Sequence, residues 1–106
     1  GQIAKCNDLV TIKYKIKIDN SQSKEIKSIE HYQFIVGNKK INEIIADEII
    51  GMRINSIKSI TIPNNYKSDD KNIMKYITQN YPHSLIYQIE IINVSSLGAK
   101  TQYQCY

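Results

Sequence analysis

The chain has 106 residues and a mass of 12.2 kDa, with 42% hydrophobic and 23% charged residues. This length suits one small domain that buries roughly 65% of its unfolded surface, and no apolar run approaches the ~18 residues of a membrane-spanning helix. The net charge is +4, and all the basic residues except Arg53 are lysines. Bidentate recognition of bases and phosphates favours arginine, so nucleic acid is not an expected partner.

The first predicted element is a strand over residues 10–18. Its apolar residues alternate without a fault with Thr11 and three lysines. A period of two is typical of a strand with one buried and one solvated face. The residues predicted to be buried are Val10, Ile12, Tyr14, Ile16 and Ile18.

A polar stretch to about Glu30 precedes a second predicted strand over 32–36, which ends at Gly37. From residue 41 the period changes to that of a helix. Asn42 is the predicted N-cap and Gly51 the predicted end of this helix. Its apolar stripe consists of Ile41, Ile44, Ile45, Ile49 and Met52.

The second half of the chain predicts two more strands, over 57–62 and 85–92, separated by a polar loop over 66–83. The last segment, 95–106, reads as a loosely packed tail. Strands with one amphipathic helix between them indicate an α+β fold in which the helix covers one face of an antiparallel sheet. The whole chain, 1–106, is interpreted as a single domain with its core over about 8–94.

Cysteine and histidine are too sparse for a metal site. Cys6 and Cys105 are far apart in sequence and form no CxxC pair, while His31 and His83 are isolated. No metal or cofactor is therefore expected. No signal peptide pattern opens the chain, so both cysteines are predicted to be free thiols in a reducing compartment, which favours the cytoplasm.

Four segments of the chain carry a family resemblance. They are Ala4–Tyr14, Tyr32–Gly37, Ile50–Pro63 and Pro82–Ile92. In this order they are similar to the patterns kkGDxVxVhY, FxFxLG, LxGMkvGekrkltIP and PpnatLvFeVELl of the FKBP-type peptidyl-prolyl isomerases, with Asn7 where Gly is usual. The resemblance implies an FKBP-like antiparallel sheet of about five strands wrapped on the helix.

The resemblance also implies a substrate pocket that acts by shape, without a nucleophile. Rotation about an X–Pro bond has a barrier near ~20 kcal/mol, and a dry, aromatic cup favours the twisted amide. The matching positions are Tyr14, Tyr32, Phe34, Ile41, Asn42, Ile45 and Tyr87. Of these, Asn42 is a polar departure, Tyr87 replaces a phenylalanine, and Ile45 stands where the family usually has a tryptophan.

Two polar parts of the family's pocket have no clean match. The segment GxxFDSS supplies an aromatic residue and a carboxylate, and either Lys24–Glu25 or Ile26–Lys27 can be aligned with that pair, which makes Glu25 the candidate carboxylate. The flap tyrosine is missing, because Tyr66 falls at a structural position of the family instead.

Two functions are therefore open. The first is a peptidyl-prolyl isomerase with a degenerate pocket and weak activity on proline-containing protein segments. The second is a non-catalytic FKBP-like module that binds a protein partner through its pocket rim and the loop 66–83. The aromatic residues Tyr14, Phe34 and Tyr87 can equally be read as ordinary core residues, so the arrangement of the pocket decides between these interpretations.

Overall fold

The computed structural model describes residues 2–97 and 103–105. The elements, in chain order, are β1 (Leu9–Ile18), β2 (Glu25–Ile35), α1 (Glu43–Ile49), β3 (Ile57–Ile62), α2 (Lys71–Asn80) and β4 (Leu85–Ser95). The strands form one antiparallel sheet in the order β2-β1-β4-β3. This confirms the predicted α+β class, although the described residues form four strands and two helices, where about five strands and one helix were expected.

One hydrophobic core joins the sheet to both helices. Val10, Ile12 and Ile16 of β1 are buried, as the alternation predicted, whereas Tyr14 and Ile18 are half-buried. The three buried residues belong to the same cluster as Ile45 and Ile49 of α1 and Ile73 and Ile77 of α2. Both helices therefore pack on the apolar face of the sheet, because that is the face on which the alternating residues of β1 lie.

The lysines of β1 lie on the other face of the sheet. Lys13 pairs with Glu30 and Lys15 with Glu25, each at 3.8 Å, and these side chains are substantially exposed. Exposed pairs of this kind contribute little stability. The lysine row is a solvated face, as the sequence predicted.

Helix α1 begins and ends where the sequence predicted. The Asn42 side-chain oxygen accepts a hydrogen bond from the backbone N–H of Ile44 at 3.0 Å, which caps the helix. After the helix, Gly51 has a φ of +91°, a conformation that costs glycine little. The cap and the glycine confine α1 to about two turns.

The predicted loop over 66–83 is wrong, because this segment contains α2. The Asp70 carboxylate caps the helix by accepting hydrogen bonds from the N–H groups of Asn72 (2.9 Å) and Ile73 (3.4 Å). Ile73 and Ile77, one turn apart, are the residues that α2 buries in the core. Neither helix among the described residues is long or apolar enough to span a membrane.

The second strand begins earlier than predicted, because β2 starts at Glu25 and includes part of the polar stretch before Glu30. β2 lies at an edge of the sheet and pairs only with β1. Of its eleven residues, only Phe34 is buried. An edge strand forms its backbone hydrogen bonds with one neighbouring strand and needs few apolar side chains. The first half of β2 therefore shows no hydrophobic alternation from which it could be predicted.

The two cysteines form a disulfide, so the predicted free thiols are wrong. Cys6 and Cys105 are bonded with their Cα atoms 5.9 Å apart, although 99 positions separate them in sequence. The Asn7 side chain accepts a hydrogen bond from the Tyr103 N–H at 2.6 Å and donates one to its carbonyl at 3.3 Å. Within the predicted tail, residues 103–105 are thus tied to the start of the chain, while 98–102 and 106 lie outside the described residues.

Candidate functional site

Four aromatic side chains from three neighbouring strands meet on the helix-covered face of the sheet. We call Tyr14, Tyr32, Phe34 and Tyr87 the aromatic cluster. The rings of Tyr14 and Tyr87 stack with centroids 6.1 Å apart, and Tyr32 meets Tyr14 edge to face at 6.2 Å. Tyr32 also lies 5.8 Å from Phe34. The strand order β2-β1-β4 brings these residues together from distant parts of the sequence.

The members of the aromatic cluster differ in their access to solvent. Phe34 and Tyr87 are buried, whereas Tyr14 and Tyr32 are half-buried. The Tyr32 hydroxyl donates a hydrogen bond to the Lys40 carbonyl at 2.9 Å, which ties β2 to the loop before α1. The solvent-facing part of the aromatic cluster is therefore formed by Tyr14 and Tyr32.

The pocket candidates at and before α1 are Ile41, Asn42 and Ile45, and they do not all lie at the aromatic cluster. Ile45 is buried in the hydrophobic core that includes the aromatic cluster. Ile41 and Asn42 instead line a groove of about 930 Å³ where the loop 37–41 and α1 meet the segment 68–72. The Asn42 side chain is buried and donates a hydrogen bond to the Ser68 hydroxyl at 3.2 Å, besides capping α1.

Glu25 does not face the aromatic cluster. The carboxylate of Glu25 pairs with Lys15, on the lysine face of the sheet. A register shift in the β1–β2 ladder places Glu25 opposite Lys17 and Lys27 opposite Ile16. Ile16 is on the core face, so Lys27, which is opposite it, lies on that face too. Lys27, and not Glu25, is therefore the residue beside Tyr14, as in the alignment that uses Ile26–Lys27.

Lys27 and Tyr76 form a contact at the edge of the aromatic cluster that the sequence analysis did not identify. The Lys27 ammonium lies 5.7 Å from the centroid of the Tyr76 ring, within the range of a cation–π interaction. A side-chain hydrogen bond with Tyr76 raises the pKa of Lys27, and the nearby Tyr14 acts in the same direction. The helical spacing of Ile73, Tyr76 and Ile77 was the sequence signal that could have placed Tyr76 here.

Burial changes the ionisation of the two stacked tyrosines. Desolvation raises the pKa of Tyr87 above the ordinary value of 10.0, and neighbouring Tyr14, Asp70 and Tyr76 add to the shift. Desolvation also raises the pKa of Tyr14, although the positive charge of Lys27 offsets part of the effect. Both phenols are thus held in the neutral, proton-donating form.

The raised pKa of Tyr87 predicts a loss of stability in alkali. Because the folded pKa exceeds the unfolded value, the contribution is complete below pH 10.0 and is lost as the pH rises above it. One such group changes the free energy of unfolding by at most about 1.4 kcal/mol per pH unit. Chemical denaturation between pH 8 and 11.5 should show a flatter decline for Tyr87→Phe than for the wild type.

The matched control is Tyr81→Phe, which removes a hydroxyl from a side chain that is 69% exposed. It should leave the alkaline decline unchanged. Equal slopes for Tyr87→Phe and the wild type would contradict the assignment of this pKa shift to Tyr87.

The described residues contain no group of three or more His, Cys, Asp or Glu side chains arranged to hold a metal ion. The polar groups beside the aromatic cluster are an ammonium, phenols and the capping carboxylate of Asp70. Such groups can orient a bound amide by hydrogen bonding. They do not form the nucleophile–base pairs of covalent catalysis.

Comparison with known proteins gives one family and one fold. The family model described as FKBP-type peptidyl-prolyl cis-trans isomerase matches residues 1–92. A search of curated proteins found no match. Among solved structures, the chain is similar to the small RNA methyltransferase HEN1, with a TM-score of 0.66 and 20% identity over 96% of this chain. It spans only 14% of that protein, and at this identity the likeness concerns the fold alone.

Proposed function

Because this chain belongs to the FKBP-type peptidyl-prolyl cis-trans isomerase family, we propose that it binds proline-containing protein segments at the aromatic cluster and weakly catalyses rotation of the X–Pro bond. The observation that supports this most directly is the stacked pair Tyr14–Tyr87, flanked by Tyr32, on the helix-covered face of the sheet. Aromatic faces of this kind suit a proline ring, which is compact, apolar and restricts the backbone φ angle.

The chemistry requires no covalent step. The peptide bond loses its resonance as it twists, and this loss sets a barrier of about 18–20 kcal/mol. The twisted amide is less polar than the planar one, so surroundings with little water favour it over the ground state. The buried rings of Tyr87 and Phe34 supply such surroundings, while the Tyr14 hydroxyl is available to orient the amide.

Two features of the site support a weak activity. Lys27 lies beside Tyr14, where the family resemblance implies a carboxylate. Tyr66, which the resemblance assigns to a structural position and not to the flap, donates its hydroxyl hydrogen bond to Glu43 at 3.2 Å and not to a group of the aromatic cluster. Fewer groups therefore orient the substrate, and a small rate enhancement is expected.

We expect measurable but low isomerase activity on a short X–Pro peptide followed by NMR exchange spectroscopy. Tyr14→Ala should lower this activity about tenfold, because it removes one stacked wall and one hydroxyl. Loss of an oriented donor lowers rates by ~10²–10³ where charge develops, and bond rotation develops little charge. Tyr87→Ala should also lower activity, with some loss of stability because Tyr87 is buried.

The control for this experiment is Tyr81→Ala, which truncates an exposed tyrosine outside the aromatic cluster. Its activity should equal that of the wild type. Turnover as high as that of a family member with a complete pocket would refute weak catalysis. Binding without any rate enhancement would favour the second candidate function.

The second candidate is a non-catalytic module that binds a protein partner. The observation in its favour is the groove of about 930 Å³, which the segment 68–72 forms with the loop 37–41 and α1. This groove adjoins the segment 66–83, the surface predicted to contact a partner. Partner binding that survives Tyr14→Ala would locate recognition at the groove, away from the aromatic cluster.

A further inference from the structure

Lys27 is a half-buried cation on the apolar face of the sheet. It pairs with Ile16 in the β1–β2 ladder, so its side chain begins on the same face as Tyr14 and Tyr87. Its ammonium lies against the Tyr76 ring of α2. A lysine on this face is unusual, because most side chains that the sheet presents here are apolar and charged side chains are seldom placed among them without a partner of opposite charge.

No carboxylate of the described residues forms an ion pair with Lys27. Lysines that do form ion pairs among the described residues include Lys13, Lys15 and Lys58. The groups that act on Lys27 are the phenols of Tyr14 and Tyr76 and, more weakly, the Asp70 carboxylate. Asp70 already accepts two backbone hydrogen bonds at the start of α2. The ammonium, with three donors, therefore retains capacity for an added anionic acceptor.

We propose that Lys27 determines specificity and that the site selects segments in which an acidic residue adjoins the proline. The proposal rests on the proposed function, since the proline is held by the aromatic cluster. A substrate carboxylate beside the bound proline can form an ion pair with the Lys27 ammonium, which has no carboxylate partner among the described residues. A basic residue at the same place meets like-charge repulsion, which is itself a source of selectivity.

The test uses the full chain and short peptides that differ at one position next to proline. The peptides contain Glu–Pro, Gln–Pro or Lys–Pro, with a matching set in which the variable residue follows proline. NMR titration and exchange spectroscopy give the dissociation constant and the exchange rate for each. We expect the better-placed glutamate to bind about threefold to tenfold more tightly than glutamine, and lysine to bind more weakly than either.

Variants of the protein separate a local contact from the net charge. Lys27→Gln should remove the preference for glutamate, and Lys27→Glu should reverse it. Lys24→Glu makes the same change in net charge at an exposed residue just before β2 and should retain the preference. Thermal unfolding checks that each variant is folded. If Lys27→Glu does not fold, the affinities of the wild-type protein for the glutamate, glutamine and lysine peptides still decide the question.

The outcomes distinguish the two proposals. Equal affinity for glutamate, glutamine and lysine peptides, with isomerase activity present, would overturn the role of Lys27 and leave the proposed function intact. A glutamate preference that Lys24→Glu abolishes as fully as Lys27→Glu would also overturn it, in favour of a general electrostatic field. Absence of binding and of catalysis with every peptide would refute both proposals.

Discussion

Ile12→Ala should lower the free energy of unfolding by about 2–5 kcal/mol, the range measured when large aliphatic side chains are truncated in protein cores. Ile12 is fully buried in the central strand β1 and belongs to the cluster that joins the sheet to α1 and α2. The truncation removes apolar contacts and leaves a cavity that surrounding strands cannot close, because β1 is paired on both sides. Urea denaturation followed by circular dichroism measures the change.

Ile57→Ala provides the matched control, since it deletes the same atoms from a side chain that is 58% exposed on β3. This variant should lose less than about 0.5 kcal/mol, as is usual for surface substitutions. Equal losses for the two variants would contradict the assignment of Ile12 to the core.

The strands that the sequence predicted best are those with one buried face. Residues 57–62 were predicted as a strand, and β3 has these bounds. The alternation of 10–18 and of 85–92 likewise corresponds to β1 and to most of β4. Burial of one face imposes a period of two on the side chains, and that period is readable without knowledge of the partner strands.

The elements that the sequence analysis missed depend on contacts with other parts of the chain. The first half of β2 is polar because it lies at an edge of the sheet, and backbone pairing with β1 fixes its conformation. Helix α2 buries only Ile73 and Ile77, and six of its ten residues are polar, so composition suggested a loop. Its cap, Asp70, followed by apolar residues at helical spacing, was the available signal.

For the candidate site, sequence reasoning identified residue types better than it identified orientation. Tyr14, Tyr32, Phe34 and Tyr87 were named together, and the strand order brings their rings into contact. Glu25 and Lys27 could not be distinguished in the same way. Two irregularities in the β1–β2 ladder, one between Ile12 and Tyr14 and one between Ile16 and Lys17, decide which of them faces the core, because a shift of one residue in a strand exchanges its two faces.

The spacing of the two cysteines could not predict the disulfide either, because the bond depends on the fold bringing Cys105 next to Cys6. Residues 103–105 pass so close to Gly37 that a Cβ atom there would lie 2.7 Å from the Tyr103 Cβ and 3.0 Å from the Cys105 sulfur. Only glycine fits this approach, and its φ of +105° is one that other residues rarely adopt. The contact places Cys105 beside Cys6.

Removing this disulfide with Cys6→Ser, Cys105→Ser should lower the free energy of unfolding by about 2–5 kcal/mol. A cross-link between residues 99 positions apart restricts almost the whole unfolded chain, so its entropic contribution is near the upper end of that range. Urea denaturation of the oxidised wild type, with and without reductant, measures the effect. Reductant should destabilise the wild type to the level of the double variant and leave that variant unchanged, because it has no bond to lose. Two free thiols by mass spectrometry of the denatured, unreduced protein, together with no effect of reductant, would contradict the bond.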